Sequence, residues 1–290
     1  MAKVSFSQYS MWSSCPHQYK LNYIDKLGES SSNVHTIFGT AMHETIQHYL
    51  SVMYGVSKKQ ADEINKDKLL LENMRKAYKS EADKMSEGTP CTQIQLEEFY
   101  GDGRRILAWL DKHMHKFYSK SGFELVGIEI PLNATIKEGV HFIGFIDIVI
   151  RDLASNEIII IDLKTSTMGW NQYQKADKMK NSQILLYKKY YSELFSIPLQ
   201  KIKVEYQILR RKLPEDSAFP VPHVSKHIPA HGSPSVKKVY DEFMEFINTV
   251  FDDGGGFKDI EFPKVPGAAK KNCKFCEFGN RGICDKKATK

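Results

Sequence analysis

The chain has 290 residues and a formal net charge of +6, with 41% hydrophobic and 26% charged residues. This composition is typical of a folded globular protein and excludes an extended disordered chain. No apolar run reaches the roughly 20 residues that a membrane-spanning helix needs, and the first residues lack the apolar stretch of a secretory signal. We therefore expect a cytoplasmic protein with no membrane association. Its mild basic excess suits an acidic partner such as nucleic acid.

The first third of the chain predicts helices. The spacing of Ser5 and Gln8 fits a capping box that begins a helix reaching about Lys20. A second helix is predicted over 36–54, where apolar residues recur at helical spacing. The charged stretch 58–84 predicts one or two covering helices, 88–91 breaks them, and a further helix is predicted over 104–118.

The pattern changes at Gly122, where three strand patterns follow over 123–132, 141–150 and 157–165. The run IIIIDL at 158–163 does not alternate, which predicts a central strand buried on both faces. A helix over 176–195 and a fourth strand over 201–211 complete this part. Because a helix connects the third and fourth strands, we predict a mixed sheet flanked by helices, an α/β fold.

The rest of the chain predicts a loop or hairpin with His223, His227 and His231, a helix over 235–251 and a flexible joint over 252–256. We divide the chain into three regions. Residues 1–121 form a mainly helical region, 122–251 form the core, and 252–290 form a cysteine-bearing tail that packs with the N-terminal helix.

The strongest candidate for chemistry is the set Asp147, Asp162 and Lys164. Residues two apart on a strand face the same side, so Asp162 and Lys164 converge, and Asp147 joins them if its strand forms a hairpin with theirs. Two carboxylates and the Leu163 carbonyl are hard ligands suited to Mg²⁺ or Mn²⁺. A lysine beside them completes the parts that phosphodiester hydrolysis needs. A lone D-x-K usually lies on a solvated strand end, but here it follows an apolar strand where unpartnered charge is costly.

These residues resemble the RecB-like branch of the PD-(D/E)xK nucleases through GFID at 144–147, DLKT at 162–165 and QILLY at 183–187. The resemblance implies a restriction-endonuclease-like core and metal-dependent DNA hydrolysis. It also implies that Gln183 positions the lysine or DNA and that Tyr187 supports the site or contacts DNA. Plain core packing is an equal alternative for Tyr187.

A second motif, FGTAMHE at 38–44, resembles the G-x-x-x-H motif of the same family through Gly39 and His43. The resemblance implies that His43 is a metal ligand, and a structural histidine is the alternative. Glu44 and Glu129 are weaker acidic candidates. Glu129 lies on the first predicted strand, where it could assist the metal site.

The five cysteines are an odd number, and no secretion signal is visible, so a disulfide framework is not expected. An early Cys15 followed by proline and three late cysteines, Cys273, Cys276 and Cys284, resemble the iron–sulfur members of the branch. The resemblance implies one [4Fe–4S] cluster on these four thiolates. The late spacing C-x2-C-x7-C departs from the commoner C-x2-C-x5-C, so Zn²⁺ remains an alternative. Cys91 has no partner in this scheme and is interpreted as structural.

The resemblance to this branch implies a DNA exonuclease that acts on single strands or ends, in DNA recombination, repair or processing. A phage or CRISPR-type setting with protein partners fits this prediction. Two alternatives stay open: a structure-specific endonuclease, and an inactive DNA-binding scaffold, which the intact Asp–Asp–Lys set disfavours. No G-x-x-x-x-G-K-[ST] motif is present, so the chain does not drive its own translocation with ATP.

Overall fold

A mixed sheet of six strands carries the fold in the computed structural model, which describes residues 1–29, 33–85, 88–217 and 219–287. The strands pair in the order β1-β3-β4-β5-β6. Strand β2 lies off this path and pairs with β3. The pairs β1/β3 and β4/β5 are parallel and the other pairs are antiparallel, so the predicted mixed α/β sheet is confirmed. The strands are β1 Ala2–Ser5, β2 Phe123–Lys137, β3 Val140–Asp152, β4 Glu157–Ser166, β5 Ile202–Arg210 and β6 Val224–His227.

Helices cover both faces of this sheet. Short 3₁₀ turns occur at Met114–Lys116, Leu199–Lys201 and Ala268–Cys273, and a π turn occurs at Lys20–Ile24. The α-helices of the described residues are α1 Phe6–Ser14, α2 Pro16–Tyr19, α3 Val34–Gly55, α4 Lys58–Asp62, α5 Lys66–Ala82, α6 Gln93–His113, α7 Gln172–Lys175, α8 Lys178–Leu194, α9 Ser233–Val250 and α10 Glu277–Asn280. No helix of the described residues is long and apolar enough to cross a membrane.

Strand β4 is buried on both faces, as its unbroken apolar run predicts. Ile158 and Ile160 pack in one core with residues of α1, α8 and α9, whereas Ile161 and Leu163 pack in a second core with residues of α3, α5 and α6. The sheet therefore separates two hydrophobic layers, and the end of β4 lies between helices on both sides.

The N-terminal segment differs from the predicted single helix. Ser5 occupies the N-cap position of α1 but its side chain accepts no capping hydrogen bond, and Gln8 instead donates to the Lys3 carbonyl at 2.9 Å. The helix stops at Cys15, whose backbone is extended, because a residue before proline avoids the helical conformation. The preceding strand β1 was not predicted, since four residues carry too short a pattern.

Helix α6 begins eleven residues before the predicted start. Thr92 and Gln95 form a complete capping box there. The sequence hides this because Gly101 and Gly103 lower helix propensity. At Gly103 a Cβ atom would lie 2.6 Å from Leu70 Cδ2, so the glycine lets α6 pack closely against α5.

The C-terminal tail contacts the N-terminal segment at several points. Asn272 Nδ2 donates to the Ser14 carbonyl at 2.8 Å, and Arg281 Nη1 donates to the Leu27 carbonyl at 2.7 Å. Phe278 of α10 is fully buried. These contacts bring the two ends of the chain together.

Candidate active site

Asp147 lies where β3 and β4 separate. The last residue pair of the β3–β4 ladder is Ile148 with Ile161. Beyond it the Leu163 N–H has no β3 backbone acceptor, and it donates instead to Asp147 Oδ2 at 2.7 Å. The predicted hairpin is therefore confirmed, and the Asp147 carboxylate is fixed against the strand that carries Asp162 and Lys164.

Asp162 and Lys164 converge as their spacing predicts. Lys164 Nζ lies 2.8 Å from Asp162 Oδ2. Asp162 is buried, whereas about a third of the Lys164 side chain is exposed. The pair thus spans the boundary between the core and the open side of the site.

Helix α3 brings His43 to the same place. His43 Nδ1 lies 3.6 Å from Asp147 Oδ2, and 24% of the His43 side chain is exposed. Gly39, one turn earlier, lies against β4, with its Cβ position 3.6 Å from Thr165 Oγ1. Glu44 faces another direction and pairs with Lys76 at 3.3 Å, so it takes no part in the site.

Gln47 was not predicted as a site residue. It lies one turn after His43 on the same helix face and is 6% exposed. Its Nε2 donates to Glu129 Oε1 at 2.6 Å and to the Asp147 carbonyl at 3.2 Å. Gln47 therefore ties α3 to both neighbouring strands. The sequence gives no motif for it, and the only signal is its position four residues after His43.

Glu129 falls opposite Asp147 in the sheet, because the flanking pairs are Ile128 with Ile148 and Ile130 with Ile146. Its φ of 50° lies in the left-handed region, which is unusual for a residue with a side chain. Such backbone conformations persist where the surrounding structure holds them, and they cluster at functional sites. Here the Gln47 hydrogen bond holds the Glu129 carboxylate beside the Asp147 strand.

Gln183 and Tyr187 share one face of α8, as predicted, and Gln183 Nε2 donates to the Tyr187 hydroxyl at 3.1 Å. Tyr187 is 7% exposed. Its ring fills the gap beside Gly144 of β3, where a Cβ atom would lie 2.9 Å from Tyr187 Cε1. Tyr187 thus packs in the core beside the site, and the glycine of the GFID segment makes room for its ring.

The site concentrates negative charge in a buried place. Burial raises the pKa of Asp147 and of Asp162 to about 6, against the opposing effect of Lys164. Burial alone would lower the pKa of Lys164, but the two carboxylates outweigh it and raise that pKa. Burial lowers the pKa of His43, which favours the neutral imidazole that binds metals. The two acids are therefore easier to ionise when a cation lies beside them.

The donor chemistry fits a hard divalent cation. Asp162 Oδ2 is buried, and its charged neighbour is Lys164 Nζ at 2.8 Å. Carboxylates and a main-chain carbonyl are the oxygen ligands of Mg²⁺ and Mn²⁺. The described part of the chain holds no group of three or more His, Cys, Asp or Glu side chains already placed around a metal position.

Four cysteines line one pocket at the junction of the chain ends: Cys15, Cys273, Cys276 and Cys284. Burial raises the pKa of the Cys273 thiol, and the other three cysteines add to that rise. The Cys15 sulfur accepts a hydrogen bond from the Val265 N–H at 3.4 Å. Cys91 is buried elsewhere, in the core beneath α3, α5 and α6, in agreement with a structural role. The four predicted cysteines thus line the same pocket, although the structure does not place them around a common metal position, and Cys91 lies apart.

Comparison with known proteins places this sequence in a family. A sequence model of the PD-(D/E)XK nuclease superfamily matches residues 3–285. No curated protein matches the chain significantly. Among solved structures, the crystal structure of SSO0001 is similar over 72% of this chain and 79% of its own, with 15% sequence identity and a TM-score of 0.30. The superfamily match spans nearly the whole chain, and it includes every residue of the site described above. The chain therefore belongs to the PD-(D/E)XK nuclease superfamily.

Proposed function

We propose that this protein is a metal-dependent DNA nuclease of the RecB-like branch, with Asp147, Asp162 and Lys164 at its active site. The observation that carries the proposal is the fixed approach of two strands. Asp147 accepts the Leu163 N–H at 2.7 Å, and this places its carboxylate beside the Asp162–Lys164 pair. Nucleases of this superfamily need such a set to hydrolyse a phosphodiester bond.

Each residue has a distinct role in this proposal. Asp147, Asp162 and His43 would hold Mg²⁺ or Mn²⁺, with the Leu163 carbonyl as a further ligand and Glu129 as an assisting carboxylate. When bound, the cation supplies Lewis-acid stabilisation of charge on the phosphate oxygens. Lys164, partly exposed at the mouth of the site, contacts the phosphate and stabilises the charge that develops in the transition state. Gln183 and Tyr187, both on α8, support the site on the side that Lys164 faces.

We further propose that the enzyme is an exonuclease that prefers single strands and serves DNA recombination, repair or processing. Support comes from the RecB-like motifs at 144–147, 162–165 and 183–187. The decisive comparison uses linear and closed circular single strands of the same sequence, with Mn²⁺ or with excess EDTA. Linear strands should be degraded to short products, circles should persist, and EDTA should stop the reaction. Rapid cutting of circles identifies an endonuclease, whereas cleavage in excess EDTA contradicts a two-carboxylate metal site.

The four clustered cysteines support a second cofactor. We propose that Cys15, Cys273, Cys276 and Cys284 bind one [4Fe–4S] cluster, with Zn²⁺ as the alternative metal. Such a cluster closes a loop of nearly the whole chain, so its main effect is to stabilise the fold. In this proposal the tail 252–290 and the N-terminal helix form one unit beside the nuclease core, and hydrolysis takes place away from the cluster.

A further inference from the structure

A roomy cavity opens directly beside the catalytic strand. Its volume is about 420 Å³, within the roughly 300–1,000 Å³ of small-ligand pockets. Lys164 and Thr165 of β4 form one wall, and Gln183 of α8 forms another. A molecule bound here would therefore contact the same lysine that faces the scissile phosphate.

Two aromatic side chains from different segments of the chain line this cavity. Phe6 lies at the start of α1, and Trp170 lies in the segment between β4 and α7. Trp170 is held by ring contacts with Tyr206 at 5.1 Å and His227 at 5.8 Å. Aromatic rings fixed in this way offer flat surfaces on which a planar base can stack.

The other aromatic residues of the N-terminal segment do not line this cavity. Tyr9 and Tyr19 are buried in the core formed with α8 and α9, and Trp12 packs on Phe246 at 5.1 Å. Phe6 is therefore the aromatic residue of α1 that lines the cavity.

The charge of the cavity suits a phosphate-bearing ligand. Besides Lys164, it contains Lys180, whose Nζ lies over one face of the Trp170 ring, 5.5 Å from the ring centre, so that a base would stack on the opposite face. Asp177 is the acidic residue of the lining. Its carboxylate already accepts a hydrogen bond from the backbone N–H of Lys180, because Asp177 is the N-cap residue of α8. Ser10 and Gln183 add neutral polar groups.

We propose that this cavity, here called the nucleotide pocket, binds the unpaired nucleotide next to the scissile phosphate. The base stacks on Trp170, and the adjoining phosphate lies toward Lys164. Because a base inside a duplex cannot enter the pocket, the proposal explains a preference for single strands. It rests on the proposed nuclease function and adds the part of the substrate that this chain recognises.

Binding is tested first without metal, so that it does not depend on catalysis. Oligothymidylate in EDTA should quench the tryptophan fluorescence of the wild type. It should also quench the fluorescence of Trp109→Phe, because the tryptophan removed in this variant lies on α6 and does not line the pocket. Trp170→Phe should lose the quench but keep binding, as followed by the anisotropy of a labelled strand. An abasic oligomer of equal length should quench little. Equal quenching by the abasic oligomer, or an unchanged quench in Trp170→Phe, overturns the proposal.

Cleavage then locates the nucleotide. Trp170→Ala should raise KM for single strands about tenfold, in line with the loss of one base stack, while kcat changes little. Ser10→Trp, which fills the pocket and leaves Trp170 in place, should have the same effect. A single abasic nucleotide beside the cleavage position should weaken wild-type binding but leave Trp170→Ala unaffected. If the abasic nucleotide weakens both equally, the pocket does not hold it.

The two proposals fail in different ways. If oligothymidylate quenches Trp170 but Mn²⁺ supports no cleavage, the nuclease function is wrong and the pocket is retained. If Mn²⁺-dependent cleavage is normal but Trp170 reports no base, the pocket is wrong and the nuclease function is retained.

Discussion

Gly144→Ala is expected to destabilise the fold beside the active site. A Cβ atom there would lie 2.9 Å from Tyr187 Cε1 and 3.4 Å from Cζ. The ring cannot move away easily, because Tyr187 is 7% exposed and packs edge-on at 6.2 Å from Phe142. Overpacking of this kind costs about 1–3 kcal/mol. Since Asp147 lies three residues further along β3, we also expect a loss of cleavage activity.

Urea unfolding of four variants measures this effect: Gly144→Ala, Gly39→Ala, Tyr187→Leu and the double variant of positions 144 and 187. Gly144→Ala should lower the free energy of unfolding. Gly39→Ala is the matched control, because its Cβ would lie at an ordinary 3.6 Å from Thr165 Oγ1. Alanine is a better helix former than glycine by about 0.8–1.0 kcal/mol, so Gly39→Ala should raise stability inside α3.

Tyr187→Leu, alone and combined with Gly144→Ala, removes the ring itself. In the Tyr187→Leu background, Gly144→Ala should lose most of its cost, which gives a coupling energy of about 1 kcal/mol or more. A cost that is unchanged in this background would refute the packing argument, as would a neutral Gly144→Ala in the wild type.

Three further predictions concern charge, positioning and the cysteines. In EDTA, Asp147→Asn should be more stable than the wild type above about pH 6 and equal to it below about pH 4. Burial raises the pKa of Asp147 to about 6. The folded wild type therefore loses stability as the pH rises through this range, by at most about 3 kcal/mol. Urea unfolding at several pH values checks this, and a wild type that is more stable than Asp147→Asn at pH 8 would contradict it. Gln47→Leu should weaken Mn²⁺ binding about 10–100-fold in calorimetry, whereas His48→Ala, an exposed neighbour on α3, should not; equal affinities would remove Gln47 from the site. Anaerobically purified wild type should be brown with about four irons per chain. Cys15→Ser should be colourless and less stable, whereas Cys91→Ser should stay brown. A brown Cys15→Ser protein rules out the shared cluster, and a colourless wild type with one zinc rules out iron.

The sequence predicts the catalytic strands well because their signal is local. The apolar runs before Asp147 and Asp162 specify two adjacent strands, and a period of two places Asp162 and Lys164 on one face. The structure confirms both points. The parallel pairing of β4 and β5 agrees with the helix that connects them, since parallel strands need a crossover connection.

The residues that the sequence did not predict are those whose role depends on distant contacts. Gln47 is a polar residue on the buried face of α3, and only the approach of β2 and β3 makes it a bridge to Glu129. Gly144 looks like a loosely packed strand residue until α8 places Tyr187 against it. Strand β1 was missed for a similar reason, because its four residues are stabilised by pairing with β3, 138 positions later in the chain at Val140. Such contacts leave no periodic trace in the sequence.

The most direct test of the active site is single-turnover cleavage of an end-labelled single strand with Mn²⁺ by the wild type, Lys164→Ala and Asp162→Asn. DNA binding by each protein is measured in parallel. We expect metal-dependent cleavage by the wild type. Both variants should lose about 100-fold or more in rate, as is typical when a charge-stabilising group is removed, while Lys164→Ala still binds DNA. Cleavage by either variant at the wild-type rate would contradict the assignment of this site.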